Sequence, residues 1–155
     1  MKAIHDLLAE HPFFAELEPA DLDLLAGCGA NVHFRAGERI LVEGEPADVF
    51  YVLRSGRVSL EIGVPGRAPL VIDTVGAGEI LGVSWLVAPH RWAFDAIALG
   101  ETSAVALDAA CLRGKCDADP RLGYALMSRF ARLLRDRLQS TRFQLLDVYG
   151  SDVAG

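Results

Sequence analysis

From residue 30 to residue 107 the chain is cut into short apolar runs, and glycine or proline closes most of them. This punctuation is what most limits the fold. Val32 and Phe34 alternate with polar neighbours. Gly37-Glu-Arg-Ile-Leu-Val-Glu-Gly44 is bracketed by glycines, and Asp48-Val-Phe-Tyr-Val-Leu53 is nearly all apolar. Ser55-Gly56 turns the chain into the alternating Val58, Leu60 and Ile62. Pro65-Gly-Arg-Ala-Pro69 loops into Leu70-Val-Ile-Asp-Thr74. Trp92 to Leu99 and Thr102 to Leu107 complete the set, with Gly100-Glu101 turning between them. Strands with turns about every 8–12 residues predict a sandwich or jelly roll. The run at 48–53 does not alternate, so it is expected to be a central strand.

One stretch breaks this rhythm. Gly76-Ala-Gly-Glu-Ile-Leu-Gly-Val-Ser-Trp-Leu-Val-Ala-Pro-His-Arg-Trp-Ala-Phe-Asp-Ala96 carries three glycines, then a short segment, then Arg91 ahead of an alternating run. Exposed N–H groups at a helix start, with a guanidinium nearby, form an anion cradle. Gly82, the backbone of the short segment that follows it, and Arg91 are therefore the candidate anion cradle. Strand alternation puts Arg91, Ala93 and Asp95 on one side and Trp92 and Phe94 on the other. Which side faces the interior is left open. A structural role for Arg91 would be a salt bridge to Asp95 or Glu79.

Helices flank the strands. Ile4, Leu7, Leu8, Phe13 and Phe14 suit a short amphipathic helix and a turn, ended by His11-Pro12. Glu18 to Ala26 reads as a second helix with Pro19 in its first turn. Asp108 is the expected N-cap of Ala109 to Lys115, and Asp119 that of a helix from about Arg121 to Leu146, with Pro120 first. Leu122, Leu126, Phe130, Leu134, Leu138 and Leu145 share a face of that helix, widened by Met127, Ala131 and Leu133 and bordered by Arg132, Arg135, Arg137 and Arg142. The face is wider than one contact needs, which predicts a homodimer through Leu126, Phe130, Leu134 and Leu138.

The chain has 155 residues, 52% of them apolar, enough for a core and against disorder. A formal charge of -6 argues against a nucleic-acid surface over the whole chain. No signal peptide and no run of about 20 apolar residues is present, so the expectation is a cytoplasmic protein without a membrane span. Cys28, Cys111 and Cys116 are odd in number and are expected as reduced thiols. His5, His11, His33 and His90 are scattered, so no metal site is expected. No nucleophile setting is evident, and no enzyme is predicted.

These residues resemble the cyclic-nucleotide-binding domain of the catabolite-activator type over nearly the whole chain. The match includes Pro12-Phe-Phe-Ala-Glu-Leu17 and Leu22 to Ala26. Its most specific part is Phe34-x-x-Gly37-x-x-Ile40-x-x-x-Gly44-x-x-Ala47-x-x-Phe50-Tyr-Val-Leu-x-Ser-Gly56-x-Val58. The resemblance implies an antiparallel β jelly roll (a double-stranded β-helix), mainly β with flanking helices and a long C-terminal helix. One domain over 1–155 is expected, with N-terminal helices at 2–27, the roll at 29–108 and C-terminal helices at 109–148.

The family's phosphate-binding cassette falls on Gly78 to Ala96. Its helix start corresponds to Gly82-Val83-Ser84 and its phosphate arginine to Arg91. Members that bind cyclic AMP or cyclic GMP have a glutamate where this chain has Val83, and a small hydroxyl residue where it has Trp92. The loop between Leu86 and Arg91 is shorter. By this resemblance Gly82, Val83, Ser84, Arg91 and Trp92 are the candidate ligand-binding residues, with Trp85 and Phe94 as stacking or pocket-filling side chains. In the family's transcription factors the long helix leads through a hinge, resembled here by Leu145-Leu-Asp-Val-Tyr149, into a DNA-reading domain. No such domain follows in this sequence, so no DNA partner is expected.

Two functions stay open from the sequence. In one, the chain is a stand-alone sensor that binds a small anion, cyclic AMP or cyclic GMP among the candidates, and signals to an effector protein. In the other, Trp92, Phe94 or Trp85 fills the pocket and the chain is a docking or assembly module.

Overall fold

The computed structural model describes residues 3–154, with the side chains of 143, 144 and 147–154 excepted. Two antiparallel sheets of four strands face each other, in the order β1-β8-β3-β6 and β2-β7-β4-β5. Their strands are β1 (Gly29–Phe34), β2 (Arg39–Leu41), β3 (Val49–Ser55), β4 (Arg57–Ile62), β5 (Leu70–Gly76), β6 (Ile80–Leu81), β7 (Asp95–Ala98) and β8 (Thr102–Asp108). This is the jelly roll that the glycine-punctuated runs predict. β3 lies between β8 and β6, and Phe50, Val52 and Leu53 are buried in the core. Between β3 and β4 the chain reverses at Gly56, at φ +90. A Cβ there would stand 2.5 Å from the Thr102 hydroxyl, so the turn admits only glycine.

Two strands are shorter than their apolar runs, and a third is not legible in the sequence. The Gly37–Gly44 run pairs only as β2, and Trp92 to Leu99 only as β7. Residues 44–47 and 90–92 leave regular pairing and bond to each other instead, with an isolated bridge between Pro46 and Arg91. β6 is just two residues, below the length at which alternation can be read.

The helices are α1 (Ile4–Glu10), α2 (Pro19–Ala26), α3 (Ala109–Ala118) and α4 (Pro120–Ala154), with a 3-10 turn at Pro12–Phe14. Asp108 Oδ1 accepts the Cys111 N–H at 2.7 Å, capping α3, and Asp119 Oδ1 accepts the Leu122 N–H at 3.3 Å. Both caps are where the sequence places them. The segment Leu145–Tyr149 is helical and continuous with α4, although the side chains of Asp147, Val148 and Tyr149 lie outside the described residues.

Two expectations are corrected. Cys28 and Cys111 form a disulfide with Cα atoms 5.6 Å apart, leaving only Cys116 as a thiol. Their separation of 83 residues hides the pairing from the sequence; the Asp108 N–H donating to the Cys28 carbonyl makes them neighbours. The second correction concerns α4. Leu126 and Phe130 are buried in the chain's own core and cannot face a partner. Met127, Leu134, Leu138 and Leu145 are 38%, 45%, 51% and 51% exposed. One helix thus carries two apolar faces, side by side.

Candidate functional site

The glycine-rich stretch folds as a turn, β6 and a 3-10 turn at Ser84–Leu86, closed by the Leu86 N–H donating to the Val83 carbonyl at 3.1 Å. Gly82 opens it at φ +94 and is buried. Trp92 is 6% exposed, and its indole edge lies against Gly82. A Cβ on Gly82 would stand 2.8 Å from two carbons of that ring. The backbone holds Trp92 in place. Its N–H donates to the Glu45 carbonyl and its carbonyl accepts the Gly44 N–H, both at 2.9 Å.

The neighbour of Trp92, Arg91, is not buried with it. Arg91 is exposed, and its Nη1 donates to the Gly44 carbonyl at 2.8 Å. Neither proposed acid partner is used: Glu79 accepts the Gly76 N–H and Asp95 the Glu43 N–H. Of the five candidate binding residues, the fold brings Gly82 and Trp92 into contact, while Arg91 is exposed and bonded to the Gly44 carbonyl. Val83 and Ser84 are half-buried, and a three-residue turn offers little dipole to an anion.

Trp85 is a core residue. It stacks on Phe50 with centroids 5.4 Å apart and rings 6° from parallel. Phe130 of α4 meets both edge-on, at 5.3 Å from Phe50 and 5.6 Å from Trp85. Arg113 of α3 donates to the Trp85 carbonyl at 3.0 Å, and its guanidinium carbon lies 6.0 Å from the Trp85 ring centroid. Arg137 of α4 donates to the Ile80 carbonyl at 2.7 Å. Phe94 is half-buried against the core. The stretch is thus tied to both C-terminal helices through Arg113, Phe130 and Arg137.

Beside it, α4 and the roll enclose two adjoining cavities. One, of about 330 Å³, lies between β5 and α4, bordered by Asp73, Glu79, Asp136, Arg137, Ser140 and Thr141. The other, of about 240 Å³, lies between Phe13, Ile80, Arg129, Arg132 and Leu133.

Residues 31–119 match the family model for the cyclic nucleotide-binding domain. The chain belongs to the cyclic nucleotide-binding domain family. It is 27% identical over 150 residues to a CRP-like cAMP-activated global transcriptional regulator of Mycobacterium tuberculosis, covering 97% of this chain and 65% of that regulator's length. Among solved structures it is similar to the N-terminal domain of a transcriptional regulator from Streptomyces coelicolor, at 28% identity and TM-score 0.70, covering 88% of this chain and 95% of the other. Thermus thermophilus catabolite activator protein shares the fold at 24% identity and TM-score 0.68, over 86% of this chain and 61% of that one.

Within this cyclic nucleotide-binding domain, sequence reasoning singles out the glycine-rich stretch but misses Arg113, Phe130 and Arg137 as its fastenings. Nothing local marks them. Arg113 and Arg137 bond to carbonyls 28 and 57 residues away in sequence. The apolar spacing of α4 did single out Phe130, as a dimer contact.

Proposed function

We propose that the chain is a regulatory domain that passes its state to a partner protein through α4, with a cassette closed to cyclic nucleotides. One observation carries this reading: the Trp92 indole seated on Gly82, where the family resemblance puts the start of the phosphate cradle. Exposing a tryptophan costs roughly 4–6 kcal/mol at the usual coefficient for its 150–250 Å². The hydrogen bond missing at Val83 adds roughly 1.5–3 kcal/mol. Together these approach the ~8.2 kcal/mol of a whole micromolar complex. Arg91 is exposed and bonded to the Gly44 carbonyl.

The output surface in this reading is the exposed line Met127, Leu134, Leu138 and Leu145, spaced by seven, four and seven residues as in a two-helix seam. A second copy of the chain takes it, giving a homodimer, and no catalytic step is assigned.

Thermal unfolding with cyclic AMP and cyclic GMP tests the cassette. A ligand at 100 times its dissociation constant would stabilise by about 2.7 kcal/mol. Neither nucleotide is expected to shift the transition. A shift that Arg91→Ala abolishes would overturn the reading. Native mass spectrometry of Leu134→Glu tests the seam; loss of the dimer is expected.

A further inference from the structure

The 240 Å³ cavity between α4, the Pro12–Phe14 turn and the turn before β6 combines an apolar floor with two arginines. Phe13, Ile80 and Leu133 form the floor. Arg129 is held in position, its Nη1 donating to the Ala125 carbonyl at 3.1 Å and its Nη2 to the Ala15 carbonyl at 2.6 Å. Both partners are neutral, so the charge of Arg129 is not cancelled. Arg132 has no hydrogen bond or ion pair among the described residues. The two acids at the rim are already engaged: Glu79 Oε2 accepts the Gly76 N–H at 2.6 Å, and Asp136 Oδ1 pairs with Arg135 at 3.0 Å. Asp136 is matched by Arg135, whereas Glu79, like Arg129, has a neutral partner and keeps its charge, so two unmatched guanidinium groups stand against one unmatched carboxylate.

We infer that this cavity binds a small organic anion, with its apolar body on Phe13, Ile80 and Leu133 and its charged group on Arg129 and Arg132. The inference rests on the regulatory reading above and names the ligand class that such a domain senses. Guanidinium groups are weakly hydrated and grip carboxylate or phosphate oxygens in pairs. The volume is below the drug-sized range and suits a molecule with one ring. Such a ligand touches α4 and the segment leading to Ile80, whose carbonyl already accepts Arg137. Its differential contact would bias how α4 sits on the roll. This anion site is separate from Arg91 and from the filled cradle at Gly82.

The test uses phenyl phosphate as probe, with inorganic phosphate and phenol as its two halves, followed by NMR titration of the full chain. Phenyl phosphate is expected to bind saturably at the Phe13 ring and the Arg132 guanidinium. Each half alone should bind about tenfold more weakly or worse, as should phenyl phosphate to Arg132→Gln, whereas Arg132→Lys recovers part of the loss. Arg91→Ala should leave the affinity unchanged. No saturation up to about 10 mM would overturn the inference. So would equal affinity for wild type and Arg132→Gln, or a loss in Arg91→Ala. Failure here leaves the regulatory reading standing, because that reading is tested separately, by the cyclic-nucleotide shift and by the dimer seam.

Discussion

Trp92 and Gly82 define each other's conformation. The indole reaches the Gly82 backbone because no Cβ stands there, and Gly82 holds φ +94 with the ring against it. Gly82→Ala therefore meets two costs, a positive φ worth about 1–2 kcal/mol and an overpacked contact worth about 1–3 kcal/mol. In a Trp92→Ala background only the first remains. A double-mutant cycle by urea unfolding should show coupling of at least about 1 kcal/mol between the two positions. Strict additivity would mean that the ring does not rest on Gly82.

Among the described residues, Phe130 is the one α4 side chain in the aromatic cluster with Phe50 and Trp85. Phe130→Ala should destabilise by about 3–5 kcal/mol, whereas Leu138→Ala on the exposed seam should cost the isolated chain under about 1 kcal/mol. Equal costs would place α4 differently on the roll. Near-ultraviolet circular dichroism should also report the lost Trp85 environment in the first variant only.

The Cys28–Cys111 disulfide closes a separation of 83 residues. Reduction should lower the unfolding free energy by about 2–4 kcal/mol. The fold should survive, since the Asp108 N–H already binds the Cys28 carbonyl at 3.0 Å. Peptide mapping under non-reducing conditions should recover Cys28 linked to Cys111 and Cys116 alkylated. A Cys111–Cys116 link would refute the assignment.

His11 is buried and neutral, its Nε2 donating to the Leu53 carbonyl and its Nδ1 accepting the Phe13 N–H. Burial lowers its pKa below the ordinary 6.5, although the backbones of Leu53 and Glu79 pull the other way. The unfolded chain thus takes the proton more readily. Stability is complete above about pH 6.5 and falls as pH drops from there toward the folded value. Unfolding curves between pH 7 and pH 5 should be steeper with pH for wild type than for His11→Gln. Parallel pH profiles would remove His11 from the acid response.

The glycine spacing from Phe34 to Val58 made the roll legible, because turns that tolerate only glycine are local facts. The helix caps at Asp108 and Asp119 were legible for the same reason. The glycine-rich stretch stands out too, but the packing of its side chains does not. Alternation put Arg91 and Trp92 on opposite sides without saying which side was inside. The short strands β2 and β7 were overread, since apolar residues at 42–47 and 92–94 pack without joining a ladder.

What the chain determined by itself was periodicity: where strands turn, where helices start, and that α4 has more apolar surface than one contact uses. Tertiary structure decided what depends on distant neighbours. It put Trp92 on Gly82 by bonding residues 44 and 45 to it, paired Cys28 with Cys111 across 83 residues, and gave Phe130 to the core and Leu138 to the surface. The physical reason is that burial and pairing belong to pairs of residues brought together by the whole chain, while turn and cap preferences belong to a few adjacent dihedrals.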